Sequence, residues 1–304
     1  MQGDIPRELE HWVARWVRDR VSRLGYSEYD SVKCGRNVER AAARMGWKSV
    51  DDLTPSSCVE WLQGLAAEGK ARGTMRNLMG AVRSLGDFLV EREVWDDNRL
   101  EHVRTPKVRA AHRGPGARAF TAEEVKRLIA VADRQERTDQ RASKYGPLRS
   151  TLYRFLFETG LRYSEAMSVR VRDINERDRV LIVRADKSER ADKVPLGPGT
   201  LEVLRRWIDW NELEDADPVF KKKVSHRTLT RDMERADIPR RDENGQGGQW
   251  HCFRKGIVTH HLRNGVDIKA VQKLARHATV QTTLNFYYQL KDHEARIAVD
   301  NGVL

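Results

Sequence analysis

Two arginines, two histidines and a pair of tyrosines in the second half of the chain have side chains and spacing suited to work on a phosphodiester. They fall in three short patterns: Thr159-Gly-Leu-Arg162-Tyr-Ser-Glu165, His251-Cys-Phe-Arg254, and Leu274-Ala-Arg-His277 followed by Thr282-Thr283 and Phe286-Tyr287-Tyr288. A phosphodiester under attack gains charge on its non-bridging oxygens, and two guanidinium groups can hold those oxygens by bidentate, charge-assisted hydrogen bonds. A phenol with a pKa of about 10 is ionised in about one molecule in a thousand near neutral pH, so a tyrosine nucleophile needs a cationic pocket or a base. His251 precedes Arg254 by three residues, which on a helix places both on one face. Any single arginine among 56 Lys and Arg residues is ordinarily a surface ion-pair partner. A lone histidine is ordinarily a hydrogen-bonded structural residue, the class in which His226, His260 and His261 are placed.

Each pattern alone is weak. Together, in this order and with Lys187 in a polar turn between the first two, they resemble the tyrosine recombinase, or phage integrase, family. The resemblance covers nearly the whole chain. It implies an α+β fold, mainly α with a small antiparallel β-sheet, in which a helical core-binding domain precedes a catalytic domain. It implies site-specific cleavage and rejoining of DNA through a 3′-phosphotyrosyl link, with no metal and no other cofactor. Arg162 and Arg254 become the phosphate clamp, while His251 and His277 contact phosphate and handle protons. Lys187, seven residues before Val194-Pro-Leu196, becomes the proton donor to the leaving 5′ oxygen, with Lys193 as its competitor. Glu165 takes the family's acidic position, supporting an arginine or the helix start.

Family members place the nucleophile nine or ten residues after the second histidine. Nine from His277 is Phe286, which has no hydroxyl; ten is Tyr287, the expected nucleophile, with Tyr288 as the alternative. Tyr287 could equally be a packing aromatic, because Val280, Thr283 and Leu284 share its helical face. The chain departs from the family pattern at Arg276, where a small glycine is usual, and at Gln289, where histidine is common. Partners implied are double-stranded DNA with a specific recombination site and a homo-tetramer on that DNA, with exchange of the tail after Leu290 anchored by Ile297, Ala298 and Val299. Two other outcomes stay open: a non-cleaving DNA-binding regulator or architectural protein, favoured by Phe286, and a type IB topoisomerase or telomere resolvase using the same chemistry.

The elements that must position these residues follow from periodicity. Ile5, Leu9, Trp12 and Trp16 recur at helical spacing, as do Met75, Leu78, Val82, Leu85 and Leu89, and Thr54-Pro55 opens another helix through Val59, Leu62 and Leu65. Residues 1–104 therefore read as a helical domain. Residues 105–120 carry four basic and no acidic side chains with two Pro and two Gly, a linker in which Lys107, Arg109, Arg113 and Arg118 are expected to lie along a phosphate backbone, or simply to be solvated. Thr121-Ala-Glu-Glu124 is a capping box that opens the catalytic domain, residues 121–304. Within it, Arg179–Val183 and Lys193–Leu196 read as two strands, and Asp242–Gly248 as a flexible loop.

Composition agrees with a polyanionic partner. The net charge is +11 and the pI near 9.7. The excess of basic over acidic residues is nil in residues 1–104 and concentrated after them. The three scattered cysteines, Cys34, Cys58 and Cys252, form neither a disulfide framework nor a zinc motif, which fits a reducing compartment. With no membrane-spanning apolar run, the expected location is cytoplasmic, at the nucleoid.

Overall fold

The computed structural model describes residues 7–107, 117–136, 145–184, 191–243, 245–286 and 288. The chain divides into two compact units, Met1–Gly114 and Pro115–Leu304.

Four helices make the first unit: α1 (Leu9–Ser22), α2 (Glu28–Met45), α3 (Pro55–Ala67) and α4 (Arg72–Glu91). Each turns an apolar stripe inward, and Trp12, Trp16, Val38, Trp61, Leu65, Met79, Leu85 and Leu89 meet in one core. Their ends are set locally. Ser27 accepts the Asp30 N–H at 3.1 Å to start α2, and Thr54 accepts the Ser57 N–H at 3.1 Å to start α3, with Pro55 in its first turn. Ile5 lies outside the described residues.

In the second unit α5 (Ala122–Glu136) and α6 (Tyr145–Thr159) lead into the short α7 (Tyr163–Ser168). A three-stranded antiparallel sheet follows: β1 (Ile174–Asn175), β2 (Val180–Arg184) and β3 (Ala191–Pro195). Then come α8 (Pro198–Trp210), α9 (His226–Arg235), α10 (His251–Arg263) and α11 (Ile268–Ala275). The fold is thus mainly α with a small antiparallel sheet, as the sequence implies. In β2 and β3, Leu181 pairs with Val194 and Ile182 with Lys193, so Leu181, Val183 and Val194 face the core. Strand β1 is too short for alternation to reveal it. Helix α6 is the central element: Leu148, Leu152, Tyr153, Phe155 and Leu156 are all buried, and it packs against α5, α8 and α10.

The expected capping box forms. Thr121 Oγ1 accepts the Glu124 N–H at 3.1 Å, and Glu124 Oε2 accepts the Thr121 N–H at 2.9 Å. Glu124 Oε1 is then free to take another cation, and it takes Arg118. This corrects one expectation. Arg118 does not face solvent along a phosphate backbone; its side chain is 10% exposed, ion-paired to Glu124, and donates to the Pro239 carbonyl at 3.1 Å. Ala117–Phe120 belongs to the second unit, for the Arg118 N–H donates to Gly247 and the Phe120 N–H to Cys252. Asp242–Gly248 is also no open loop: the Asp242 carboxylate accepts the Gln246 N–H at 2.8 Å, and the Gly248 N–H donates to the Arg240 carbonyl. Lys107 is exposed in the first unit, its carbonyl accepting from Arg72 at 3.3 Å. Arg109 and Arg113 lie outside the described residues.

At Gly256, α10 comes close to the chain entering α5. A Cβ there would lie 2.2 Å from the Phe120 carbonyl oxygen and 2.8 Å from the Phe157 ring. The backbone on one side is tied down by the Phe120–Cys252 hydrogen bond, so neither side can yield cheaply. Gly256→Ala is therefore expected to cost about 1–3 kcal/mol, read as a lower urea midpoint for the second unit at unchanged slope. An unshifted midpoint would show that α10 is free to move away.

Candidate active site

Arg162 stands at the start of α7 and projects a guanidinium that is 55% exposed. Glu165, one turn on, fixes it twice: the Arg162 N–H donates to Oε2 at 2.8 Å, and Nη1 lies 2.7 Å from Oε1. Glu165 also receives Arg276, from the end of α11, at 2.5 Å. Burial alone would raise the Glu165 carboxyl, but the Arg162 N–H and the Arg276 guanidinium outweigh it and hold the pKa below its ordinary value.

Arg254, in the first turn of α10, is 2% exposed. It donates to the Gly160 carbonyl at 2.8 Å and to the Ala275 carbonyl, joining the α6–α7 turn to the end of α11. Burial first, then repulsion from Arg162 and Arg276, pulls its pKa down to about 10, so it stays charged at neutral pH.

His277 follows α11. Its Nδ1 is 2.8 Å from Thr283 Oγ1, and Gln272 brackets its backbone, accepting the His277 N–H at 3.1 Å and donating its side-chain amide to the His277 carbonyl at 3.2 Å. The imidazole is pushed down to about 4, first by loss of solvent and then by Arg254, Arg162 and His251. His251, at the start of α10, is lowered in the same way, by desolvation first and then by Arg254, Lys255 and Arg162. Both rings are therefore neutral at pH 7, with a lone pair that gains basicity when an anion offsets the neighbouring cations.

The structure thus brings Arg162, Glu165, His251, Arg254 and His277 into one cluster, near enough for their charges to act on each other. Lys187 and Tyr287 lie outside the described residues. Phe286 has a packing role: its ring stacks on His277 at 5.8 Å and 11°, beside Val258, Leu262 and Val271. Lys255 lies 5.4 Å over the same ring and donates to the Ala117 carbonyl at 2.6 Å. Tyr288 is helical and 55% exposed. His226 contacts the Gly248 carbonyl and Thr230.

Several contributors escaped the sequence reading. Tyr163 and Trp250 stack at 4.4 Å and 25°, and each is the chain neighbour of a site residue, Arg162 or His251. Tyr153 stacks on Phe253 at 5.5 Å, while its hydroxyl donates to Asp232 at 2.6 Å; Arg149 pairs with the same carboxylate at 2.8 Å. Only the adjacency of Trp250 to His251 hinted at this stack. In the first unit, Tyr29, Lys33, Arg36 and Arg40 share one exposed face of α2, and among the described residues no ion pair reaches its three cations. Their spacing of four, three and four was the available signal.

Two guanidiniums and two neutral imidazoles on a rigid helical frame can hold a phosphodiester and move a proton beside it. Residues 118–294 match the model of the phage integrase family, and the chain belongs to that family. It is 26% identical over 238 residues to tyrosine recombinase XerC of Chlamydia caviae, covering 76% of this chain and 72% of that protein. A tyrosine recombinase of Thermosipho africanus is 25% identical over 297 residues, 94% of this chain and 98% of that one. The fold of this chain resembles that of a lambda integrase, residues 75–356, in a dimer bound to a COC′ core site, with TM-score 0.67, 17% identity, and coverage of 92% of this chain and 95% of that one.

The depressed histidine has a consequence for stability. His277 binds its proton less readily folded than unfolded, so folding is penalised as pH falls from the ordinary value near 6.5 to about 4, and the penalty levels off below. We expect Tm to drop across that window and His277→Gln to make the drop shallower in pH-dependent thermal melts. A slope unaffected by the substitution would place the acid sensitivity elsewhere.

Proposed function

We propose that this chain is a site-specific DNA recombinase acting through a tyrosine nucleophile. The observation that carries this is the clustering of Arg162, Arg254, His251 and His277 in a chain of the phage integrase family. Tyr287 attacks the scissile phosphorus through its hydroxyl oxygen, and a neutral histidine accepts the phenolic proton. The bond from phosphorus to the 5′ oxygen breaks, Lys187 protonates the leaving oxygen, and a 3′-phosphotyrosyl link results. A 5′-hydroxyl of the partner strand then reverses the step, so the bond energy is conserved and no nucleotide triphosphate is consumed. Thr283 holds His277 Nδ1, leaving Nε2 to meet the phosphate.

The second unit is the catalytic domain in this reading, the first unit a DNA-gripping domain, and residues 105–116 the tether. The uncompensated face of α2 supports the grip, since cations without protein partners gain most from replacing the counterions of a phosphate backbone. Exchange between two duplexes requires four protomers, with the tail after Leu290 passing to a neighbour. The reaction takes place on cytoplasmic, nucleoid DNA; among the described residues no helix is long and apolar enough to cross a membrane.

The test is a covalent adduct on a denaturing gel, from a library of randomised nicked duplexes. Wild type should give an adduct, Tyr287→Phe none, and Arg162→Ala one that forms about a hundredfold to a thousandfold more slowly. An adduct that survives in Tyr287→Phe and vanishes in Tyr288→Phe moves the nucleophile by one residue. No adduct from wild type on any member of the library favours a DNA-binding protein that does not cleave. Deleting residues 292–304 should weaken assembly on DNA in native gels while leaving the melting curve in place; unchanged assembly refutes the tail exchange.

A further inference from the structure

We propose that Arg276 is a positioning residue of this site, its buried guanidinium tying the helix start that carries Arg162 to the β2–β3 hairpin through Glu165 and Asp192. The inference rests on the recombinase reading above.

Arg276 caps α11 with φ 51° and ψ 45°, in the left-handed region. A helix can end there at little cost with glycine, whereas any residue with a Cβ is strained. An arginine in that place needs a compensating role for its side chain, and the side chain has one. It is 9% exposed, with Nη2 at 2.5 Å from Glu165 Oε2 and Nη1 at 4.0 Å from Asp192 Oδ2. The three residues come from α11, α7 and β3, and Glu165 is 111 positions away in the chain. An ordinary surface ion pair would leave its groups in solvent and add little; the Arg276–Glu165 pair is largely buried and leaves Nε without a partner among the described residues, while Asp192 approaches from the half-exposed side.

The consequence for the site is geometric. Glu165 uses Oε1 for the Arg162 guanidinium and Oε2 for both the Arg162 N–H and Arg276. Arg276 anchors the oxygen that also accepts the Arg162 N–H, so the carboxylate that holds the Arg162 guanidinium is itself held. Asp192 lies in β3 next to Ala191, which pairs with Arg184 at the end of the hairpin ladder, and Lys187 falls in the sequence between these two residues. His277 is the next residue in the chain. One guanidinium therefore registers the clamp arginine, the hairpin and the second histidine against each other.

The experiment compares wild type, Arg276→Gly and Arg276→Lys. Glycine adopts the backbone conformation without strain, so R276G should melt close to wild type and bind duplex DNA as well. Its rate of adduct formation should fall about tenfold to a hundredfold, the usual size for loss of a supporting contact. The acid limb of its pH–rate profile should move to higher pH, because Glu165 loses a cation that depresses its carboxyl. R276K, with a charge and no fork, should fall between the two. Wild-type rate and an unmoved acid limb in R276G would overturn the proposal, and if R276G melts early, a wild-type rate in R276K does the same. If wild type itself forms no adduct, the recombinase reading fails, and carbon-13 titration of the Glu165 carboxyl decides the positioning claim. An upward shift in R276G then supports it, and none refutes it.

Discussion

Arg254 is the constraint around which the second unit closes. A guanidinium 2% exposed has lost nearly all its water, and its donors must be met by protein or the charge becomes strongly destabilising. The Gly160 and Ala275 carbonyls meet them, so the α6–α7 turn and the end of α11 are obliged to converge on the first turn of α10. Gly160 can present its carbonyl this way because its φ is +60°, and α10 can come close because Gly256 carries no Cβ. Arg162 and His277 sit immediately beyond those two converging segments. The positions of the other site residues are in this sense set by solvating one buried cation.

Packing then supplies the rigidity that hydrogen bonds alone would not. Tyr163 on Trp250 and Tyr153 on Phe253 form two stacked contacts beneath the polar surface, linking α7 and α6 to α10. Stacks of this kind contribute about 0.5–1.5 kcal/mol each beyond area burial. Below them the Asp232 carboxylate collects the Tyr153 hydroxyl and the Arg149 guanidinium, joining α6 to α9. Asp232 Oδ1 has no hydrogen-bond partner, so this buried cluster specifies how the helices fit more than it stabilises them.

What the sequence revealed was local. Capping at Thr121, the Pro55 helix start and the apolar stripes of α1, α3 and α4 depend on residues a few positions apart, and each is present. The pairing of β2 with β3 was legible for the same reason, while the two-residue β1 was too short to show. Arg118 was misread because composition treats the basic linker as uniform, although Glu124 in the capping box had one oxygen unassigned. Asp242–Gly248 was misread because its Gly and Asn content suggests freedom, whereas the Asp242 carboxylate closes a tight turn. Arg276 was noticed as a departure from a pattern, but its partners are distant in sequence, and nothing in a linear string shows a positive φ. The clustering of Arg162, Arg254, His251 and His277 was legible only through a resemblance, since periodicity alone cannot fold three segments onto one point.

The charge balance of the pocket explains its form. Glu165 pairs with Arg162 and Arg276, while among the described residues Arg254 is met by carbonyls alone; burial first, and then repulsion among these cations, brings Arg254 down to about 10 and His277 to about 4. A further acid beside Arg162 and Arg254 would relieve that repulsion. Burial and the neighbouring cations keep both histidines unprotonated at neutral pH, and the negative charge of a bound phosphodiester offsets those cations and raises the basicity of the rings for proton transfer. The same cations leave an unmet demand for negative charge, which a phosphodiester supplies and which grows as the oxygens gain charge in the transition state. The repulsion among these cations and their attraction for the reacting phosphate have the same source, the positive groups gathered around the buried Arg254.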